Sequence, residues 1–398
     1  MRPLVPELRF PEFKGPWKPA RAGDAFRNSK SKGEAGLPIY SVTQDRGLVR
    51  RDSLERHMGA DAADETNLRA QPGDLVYNMM RMWQGAVGMA SEECMVSPAY
   101  VVLSPRKGVS SKFFDYWFQN RHMLHQLWAY SHGLTNDRLR LYYQDFAKIP
   151  LALPDQPEQE KIAAVLDATS RKIALLTNKK TALEDFKRGL MQRLFSRELR
   201  FTRDDGSAFP DWKERKLSSL LKEHKQKSDG TEAVHSVSVV HGLIDQVAHL
   251  GRSYAAESTL HYNRVNPGDI VYTKSPTGKF PFGIIKQSQI AYSAIVSPLY
   301  GVFRPKTHQI GMFLDVFFSS ESNTERFLRP LVNKGAKNTM NINNSTFLSG
   351  KVWVPVDPEE IQKIRDLFSS VDKKILCLST KISEMEAFKK GLLQKLFV

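Results

Sequence analysis

The chain has only two cysteines, Cys94 and Cys377, among its 398 residues. So few thiols argue against a disulfide framework and against a thiolate metal site. Long apolar stretches are also missing, because the longest, such as residues 149–153 and 310–318, are too short or too interrupted to span a bilayer. The first ten residues lack the continuous apolar stretch of a signal peptide. These absences predict a cytoplasmic protein.

Recognisable motifs for catalysis are missing as well. Residues 277–280 contain a Gly-Lys pair but lack the upstream glycine and the final Ser or Thr of a phosphate-binding loop. No glycine-rich dinucleotide fingerprint follows a predicted strand. The sequence also has no Asn-Pro-Pro-Tyr or Asp-Pro-Pro-Tyr tetrapeptide, which an amino-methylating enzyme would ordinarily use. Four histidines, His57, His122, His125 and His132, have no Cys or carboxylate partners at metal-ligand spacing. The pattern indicates a binding protein with no catalytic residues, no metal and no cofactor of its own.

What the chain has in excess is positive charge. Its formal net charge is +15 at pH 7, with +7 on residues 1–196 and +8 on residues 197–398. An even basic excess on both halves fits a polyanion that both halves contact, such as a nucleic acid. A basic protein with no nucleic-acid role is the alternative that charge alone leaves open.

The chain also repeats itself. Residues 186–195 read FKRGLMQRLF and residues 388–397 read FKKGLLQKLF, with seven of the ten positions identical. This spacing is far longer than the periods of solenoid proteins, so it indicates two whole units in tandem. Further landmarks pair along the whole length of the two units. They are 7–18 with 198–213, 39–49 with 234–244, 71–78 with 266–273, and 96–106 with 296–306.

Each unit begins with a β-rich part. Segments such as IYSVT, GDLVYN and YVVLS are rich in β-branched and aromatic residues and are bounded by turn signals. Short helices are predicted at 113–127 and 312–328 from apolar residues at helical spacing. We therefore expect an α/β or α+β fold with two tandem β-rich globular parts, at residues 1–150 and 198–354. The order of the strands does not follow from the sequence.

A long helix is predicted after each globular part, at residues 151–197 and 355–398. Pro157 and Pro358 stand among acidic residues, which is typical of a first helical turn. Apolar residues then recur at steps of four and three, the pattern of a coiled-coil seam. Because both helices carry the same seam, we expect them to pair as an antiparallel coiled coil with pseudo-two-fold symmetry.

The seam residues are the expected interface between the helices or with a partner. In the first helix they are Ile162, Leu166, Ile173, Leu176, Leu183, Leu190 and Leu194, and in the second Ile364, Phe368, Val371, Ile375, Leu378, Ile382, Leu392 and Leu396. The same pattern places Phe186, Met385 and Phe388 in the seam, with Thr169 and Lys180 as polar residues within it. Polar seam residues typically set the register at some cost in stability.

Side chains that can recognise DNA occur in the loops between predicted strands. Base edges are recognised chiefly by Arg, Lys, Asn and Gln. In the first unit the candidates are Lys30, Lys32, Arg46, Arg50, Arg51, Arg81, Trp83, Gln84, Asn136, Arg138 and Arg140, and in the second Lys225, Lys227, His241, Lys274, Lys279, Lys337, Asn338 and Asn341. These loops differ most between the units, which suggests one docking geometry that recognises two different sequences. A solvated loop charge is the alternative for each residue, and several would contact phosphate.

Several of these motifs together resemble the specificity subunit of type I restriction–modification systems. They are the ELRF openings, the PGD-(Leu/Ile)-Val-Tyr turns, the helix start PxxPEQEKI and the helix ends FKxGL(Met/Leu)Q(Arg/Lys)LF. The resemblance covers essentially the whole chain. The second copy departs at its helix start, which reads DPEEIQKI, while the pattern of charge and capping is kept.

The resemblance implies a noncatalytic subunit with two target recognition domains, at residues 1–150 and 198–354. Each domain would recognise one half of a bipartite DNA target, and the two helices would set the gap between the halves. The helices would also dock two modification subunits, which methylate adenine with S-adenosylmethionine. Restriction subunits would add translocation and cleavage with ATP and magnesium. None of those cofactors would bind this chain.

Two other classes of function stay open from the sequence. The chain could be a coiled-coil scaffold or a nucleic-acid-binding protein without preference for a duplex sequence, which would need no methyltransferase. It could instead be an enzyme, such as a fused nuclease with an unrecognised site. Such an enzyme would cleave DNA by itself in the presence of a metal ion.

Overall fold

Two long helices organise the fold, and each contributes to both of the units into which the chain divides. The computed structural model describes residues 4–54, 66–135, 138–247, 259–334 and 340–398. One unit consists of residues 1–178 and 379–398, and the other of residues 179–378. Each unit therefore contains one globular part together with a portion of each long helix.

Short strands form the sheets of the first unit, because turn residues interrupt its apolar segments. The strands are β1 (Lys18–Arg21), β2 (Phe26–Ser29), β3 (Ile39–Thr43), β4 (Gly47–Arg50), β5 (Leu68–Ala70), β6 (Leu75–Asn78), β7 (Val87–Met89), β8 (Cys94–Val96), β9 (Tyr100–Pro105) and β10 (Pro150–Leu153). The helices are α1 (Ala22–Ala25), α2 (Ser111–Trp117), α3 (Arg121–Ala129), α4 (Tyr143–Phe146) and the first part of α5 (Gln156–Phe195).

The strands of the first unit form two four-stranded sheets and one pair. The first sheet is antiparallel and has the order β2-β9-β6-β7. The second has the order β4-β3-β8-β5, in which only β3 and β8 run parallel. Strands β1 and β10 pair antiparallel, so the two ends of the globular part lie together where α5 begins.

The second unit is assembled from corresponding elements. Its strands are β11 (Lys213–Lys216), β12 (Leu221–Glu223), β13 (His235–Ser238), β14 (Gly242–Asp245), β15 (Asn263–Val265), β16 (Ile270–Tyr272), β17 (Ile285–Gln287), β18 (Ala294–Val296), β19 (Gly301–Pro305), β20 (Asn333–Lys334), β21 (Met340–Asn341) and β22 (Lys351–Val354). Its helices are α6 (His308–Phe318), α7 (Glu321–Leu328), α8 (Asn344–Ser349) and the first part of α9 (Pro358–Lys395).

The second unit repeats the strand order of the first. Its four-stranded sheet has the order β12-β19-β16-β17, which corresponds strand for strand to β2-β9-β6-β7. Strands β13 and β14 form a hairpin as β3 and β4 do, and β15 pairs with β18 as β5 does with β8. Strands β11 and β22 pair as β1 and β10 do. The repeat seen in the sequence is therefore a repeat of topology.

The Pro-Gly-Asp landmark makes the same turn in both units. Gly73 and Gly268 have φ angles of 88° and 83°, a conformation that favours glycine. The buried carboxylate of Asp74 accepts a hydrogen bond of 2.9 Å from the backbone N–H three residues earlier. Asp269 accepts the equivalent bond at 2.7 Å. The turn thus fixes the start of the central strands β6 and β16.

The repeated helix ends complete the aromatic core of each unit. In the first unit Phe397 stacks on Trp117, with ring centroids 5.9 Å apart and an interplanar angle of 17°, and it contacts Phe113 at 5.1 Å. In the second unit Phe195, at the equivalent position of the repeat, contacts Phe313 edge to face at 5.9 Å. Such aromatic pairs contribute roughly 0.5–1.5 kcal/mol beyond the burial of their area. The helix ends are therefore parts of the cores.

A buried ion pair anchors the ELRF opening of each unit to the helix that follows the globular part. Arg9 donates two hydrogen bonds of 2.8 Å to Glu158, and Arg200 donates two to Glu360 at 2.9 and 3.2 Å. The two glutamates are only 2% and 0% exposed. A two-armed Arg–carboxylate pair fixes orientation as well as charge. The first residues of each unit are thereby held against the start of its helix.

The two long helices pack antiparallel within each unit. In the first unit the start of α5 and the end of α9 share one hydrophobic core through Ile162, Leu166, Leu392 and Leu396. In the second unit the end of α5 and the start of α9 share another through Leu194, Ile364 and Phe368. Lys187 and Asp372 add an ion pair of 2.6 Å between the helices. The predicted mixed fold, with two β-rich parts each followed by a long helix, is confirmed.

The other seam residues divide by how far the helices cover them. Val371 and Leu378 are buried, whereas Ile173, Leu176, Leu183, Leu190, Ile375 and Ile382 are partly buried. The pattern places Phe186 and Phe388 in the seam as well, but they are 56% and 54% exposed. In each helix the two preceding steps of the seam pattern are both three residues long, and each such step falls about 60° short of a full turn at 3.6 residues per turn. Together they rotate the side chain about 120° from the residue at which they began, and so away from the seam.

The long helices begin slightly later than the sequence boundaries of 151 and 355. Helix α5 starts at Gln156 and α9 at Pro358, because the residues just before them form the strands β10 and β22.

Within the described part of the chain, none of the helices combines the length and the hydropathy that a membrane span needs.

Replacing Glu360 by Ala should lower the free energy of unfolding of the second unit by about 3 kcal/mol, because Arg200 loses the buried carboxylate that accepts two of its hydrogen bonds and keeps the exposed Asp211, at 3.5 Å, as its carboxylate partner. Urea denaturation followed by tryptophan fluorescence measures the change, since Trp212 lies 5.7 Å from the Arg200 guanidinium. The matched control is Asp204→Ala, which removes the exposed partner of Lys363 and should have little effect. Equal losses in the two variants would contradict the role given to the buried pair.

Candidate nucleic-acid interface

Two segments of the first unit that carry predicted contact residues lie side by side. The loop between β6 and β7 starts at Met79, whose carbonyl accepts a hydrogen bond of 2.9 Å from the backbone N–H of Leu141. Leu141 directly follows Arg140, which exchanges two backbone hydrogen bonds of 2.9 Å with His132. The structure thus places the loop of Arg81 next to the segment that ends at Arg140.

The loop between β6 and β7 is fixed by its own hydrogen bonds. It contains a short 3-10 turn at Met82–Gln84. The indole N–H of Trp83 donates to the carbonyl of Met80 at 3.1 Å, and the guanidinium of Arg81 donates to Gln84 Oε1 at 3.2 Å. Arg81 is exposed and has five N–H donors, so it keeps donors for a further contact.

The hairpin of β3 and β4 carries two predicted contact residues, Arg46 and Arg50, which form ion pairs with acidic neighbours. Arg46 lies 3.9 Å from Asp45, and Arg50 lies 3.0 Å from Asp52 and 4.0 Å from Glu92. The hydrogen bond with Asp52 raises the pKa of Arg50, and the same bond lowers the pKa of Asp52. A phosphate group would have to replace these carboxylates, which makes Arg50 a weaker candidate than Arg81.

Several predicted cations have exposed side chains and no ion pair within the described residues. They are Lys30, Lys32, Arg138, Arg140 and Lys225. Exposed, unpaired cations of this kind suit contacts with phosphate, which depend on charge and carry no sequence information. Arg51 is only partly exposed and makes contacts of its own.

In the second unit, two of the predicted residues, Lys227 and Lys279, have side-chain partners. Lys227 donates to Asn263 Oδ1 at 2.7 Å. Lys279 stands at the exposed tip of the loop between β16 and β17, 3.8 Å from Glu321. His241 is exposed at the turn between β13 and β14. These side chains lie on the surface, where they can exchange a protein partner for a phosphate.

Lys274 differs from the other candidates because it is partly buried. Burial lowers the pKa of its ammonium group, while Glu223 acts in the opposite direction. Glu223 in turn accepts a hydrogen bond of 2.9 Å from Asn344. Sequence reasoning missed Glu223 and its partner Asn344, because each lies far from Lys274 along the chain and no motif marks it.

Three predicted residues, Asn136, Lys337 and Asn338, lie outside the residues that the structure describes. For Asn341 the backbone is described, and it pairs with Asn333 in the hairpin of β20 and β21. The acidic residues that hold Arg50 were also missed. Asp52 is visible two residues away in the sequence, whereas Glu92 comes near only through the fold.

Residues 19–185 match the family model of the type I restriction modification DNA specificity domain. Residues 19–185 belong to this specificity domain family. The matched span covers the sheets of the first unit, the two neighbouring segments described above and most of α5. The resemblance predicted from the sequence motifs is thereby confirmed. No curated protein sequence matches the chain.

Three solved structures share the fold of this chain over nearly its whole length, each at 13% sequence identity. The type I restriction–modification S subunit from M. genitalium has a TM-score of 0.59, with 99% of both chains covered. The HsdS subunit from Thermoanaerobacter tengcongensis has a TM-score of 0.50 and covers 97% of this chain and 98% of that one. A chain from a study of assembly and conformational transition in a type I system has a TM-score of 0.54, with 97% and 99% covered.

If the two units recognise the two halves of a DNA target, replacing Arg81 by Ala should weaken recognition of one half only, because Arg81 belongs to the first unit alone. We expect a loss of about tenfold in discrimination at one base pair. Competition binding with duplexes altered in one half at a time measures this. Lys30→Ala is the matched control and should weaken binding to all duplexes alike. A uniform loss for Arg81→Ala would make it a phosphate contact and contradict the assignment.

Proposed function

We propose that the chain is the noncatalytic DNA sequence-specificity subunit of a type I restriction–modification complex. The proposal rests on one observation: the same arrangement of strands occurs twice, and the loops that connect the strands differ between the two copies. The sheets β2-β9-β6-β7 and β12-β19-β16-β17 have the same strand order, while the loops that leave them differ in sequence. The internal repeat extends the specificity domain of residues 19–185 to the second unit.

Two such domains on one chain suit a bipartite DNA target. Each domain would recognise one half of the target through its loops, and the even distribution of positive charge supports phosphate contacts by both. Phosphate contacts would fix the position of each domain on the duplex, and base contacts would provide the sequence preference. The two halves of the target would differ because the loops of the two domains differ.

The two long helices would set the gap between the halves of the target. Helix α5 has 40 residues and α9 has 38, which corresponds to roughly 60 Å at 1.5 Å per residue. B-DNA repeats every ~34 Å, so helices of this length could separate two recognition domains by more than one turn of the duplex. Each helix contributes residues to the hydrophobic cores of both units, which supports a role as the connection between them.

The exposed faces of the helices would dock two modification subunits. Phe186 and Phe388 occupy equivalent positions of the repeat, and both are more than half exposed. Two copies of one exposed aromatic residue suit two copies of one partner. The modification subunits would methylate adenine with S-adenosylmethionine, and restriction subunits would use ATP and magnesium. This chain would bind none of these cofactors and would contribute recognition only.

Removing seven residues from each helix should shorten the gap of the DNA target and leave both halves unchanged. Deleting 174–180 and 376–382 takes equivalent segments of the repeat and keeps the heptad register. A loss of seven residues shortens each helix by about 10 Å, so we expect a gap shorter by about three base pairs. Selection of bound sequences from random duplex DNA measures the gap.

The control for this deletion is Leu175→Ala, which changes an exposed residue of the same segment without changing the length. It should leave the gap as it is. A deletion variant that keeps both half-sites and the original gap would contradict the role of the helices as a spacer. Binding of duplex DNA without any preferred sequence by the wild-type chain would favour the coiled-coil scaffold instead.

A further inference from the structure

The loop between β16 and β17 of the second unit is held at its ends and at its centre. The hydroxyl of Tyr272 donates to the carbonyl of Phe282 at 2.8 Å. Thr273 and Ile284 exchange two hydrogen bonds of 3.0 Å, one of which is accepted by Thr273 Oγ1. Phe280 is buried and ties the middle of the loop to the protein interior. The loop therefore presents its side chains from a fixed backbone.

Lys274 begins this loop in a strained conformation. Its φ angle is 55°, and among the residues that the structure describes only Arg197 is another non-glycine residue with a positive φ. A residue with a Cβ rarely adopts this conformation, because the Cβ approaches the carbonyl oxygen too closely. Gly283 packs so near that a Cβ there would lie 2.9 Å from the backbone nitrogen of Lys274. Glycine at position 274 would adopt this backbone without strain.

The charge of Lys274 is also poorly compensated. Its side chain is partly buried, and within the described part of the chain its ammonium group makes neither a hydrogen bond nor an ion pair within 4.0 Å. Glu223 is the acidic residue that acts on it, and Glu223 is itself held by Asn344 at 2.9 Å. A partly desolvated cation without a hydrogen-bonded partner costs stability. Neither the backbone nor the charge of Lys274 favours the folded state.

The first unit lacks this arrangement at the equivalent place. Met79 corresponds to Lys274, because each directly follows the aligned segments QPGDLVYN and NPGDIVYT. Asn28 corresponds to Glu223, because β2 and β12 pair in the same register with β9 and β19. The lysine and the glutamate therefore belong to the second unit alone. Residues that recognise one particular DNA sequence are expected to differ between the units, whereas residues that maintain the common fold are expected to agree.

We propose that Lys274 recognises a guanine in the half of the DNA target that the second unit binds. Its ammonium group donates hydrogen bonds to O6 and N7 of that guanine in the major groove, a contact that Lys and Arg make more often than any other specific one. The fixed loop and the partly buried aliphatic part of the side chain restrict where the ammonium group can point. A directional hydrogen bond to a base edge requires such a restriction. The strain and the partly buried charge cost stability in the free chain, and the hydrogen bonds to the base offset this cost in the complex.

This inference rests on the proposed function, and selection from random duplex DNA by the full-length chain tests it. Lys274→Gly should reduce the preference for guanine at one position of one half-site by about 10- to 100-fold and leave the other half-site unchanged. Its melting temperature should not fall, because glycine removes both the strain and the partly buried charge. Lys274→Arg, which keeps a cation, should retain a preference for guanine at that position.

The matched control is Lys279→Ala in the same loop, which should weaken binding to all sequences evenly because Lys279 is exposed. If the wild type selects a two-part motif and Lys274→Gly selects the same motif, the inference is overturned and the proposed function stands. Loss of both half-sites with a lower melting temperature would assign Lys274 a structural role and also overturn the inference. If the wild type itself selects no two-part motif, the proposed function fails.

Discussion

Each globular unit depends on the end of a long helix. The first unit takes this end from residues 379–398, far along the sequence, and the second takes it from the residues just before its own globular part. Phe397 completes the aromatic core around Trp117, and Phe195 completes the corresponding core around Phe313. Phe397 is 4% exposed, and burial of such a side chain contributes about 1.5–3 kcal/mol, a large fraction of the net stability of a domain. Phe195 is partly buried and contributes less. Because the closing residue sits at the end of a helix of about 40 residues, the fold of the globular part and the position of the helix are coupled.

This coupling explains which parts of the two units agree and which differ. The helix ends, the Pro-Gly-Asp turns and the pairs of Arg9 with Glu158 and Arg200 with Glu360 hold the frame, and all of them occur twice. The loops that follow β6 and β16 are fixed by different local bonds, so their side chains can change while the frame stays. A rigid frame with exchangeable loops is what recognition of two unrelated short sequences requires.

Local patterns in the sequence were enough to predict the duplication, the long helices and the mixed fold. The strand order was not predictable, because β2 pairs with β9 and β3 with β8 through contacts that no local pattern encodes. The exposure of Phe186 follows from its position after two successive steps of three residues, because a continuous seam needs steps of four and three in alternation. The environment of Lys274 depends on φ at one residue and on Glu223 and Asn344, which the sequence does not bring together. The frame was thus predictable, whereas the details of the candidate interface required coordinates.

A map of methylated adenines in the genome of the source cell, with the gene intact and with it disrupted, tests the central claim most directly. The account predicts a two-part motif with a fixed gap, methylated only when the gene is intact, because the two units recognise the two halves and the helices fix their separation. A set of methylated motifs that does not change when the gene is disrupted would contradict the assignment of this chain as the specificity subunit.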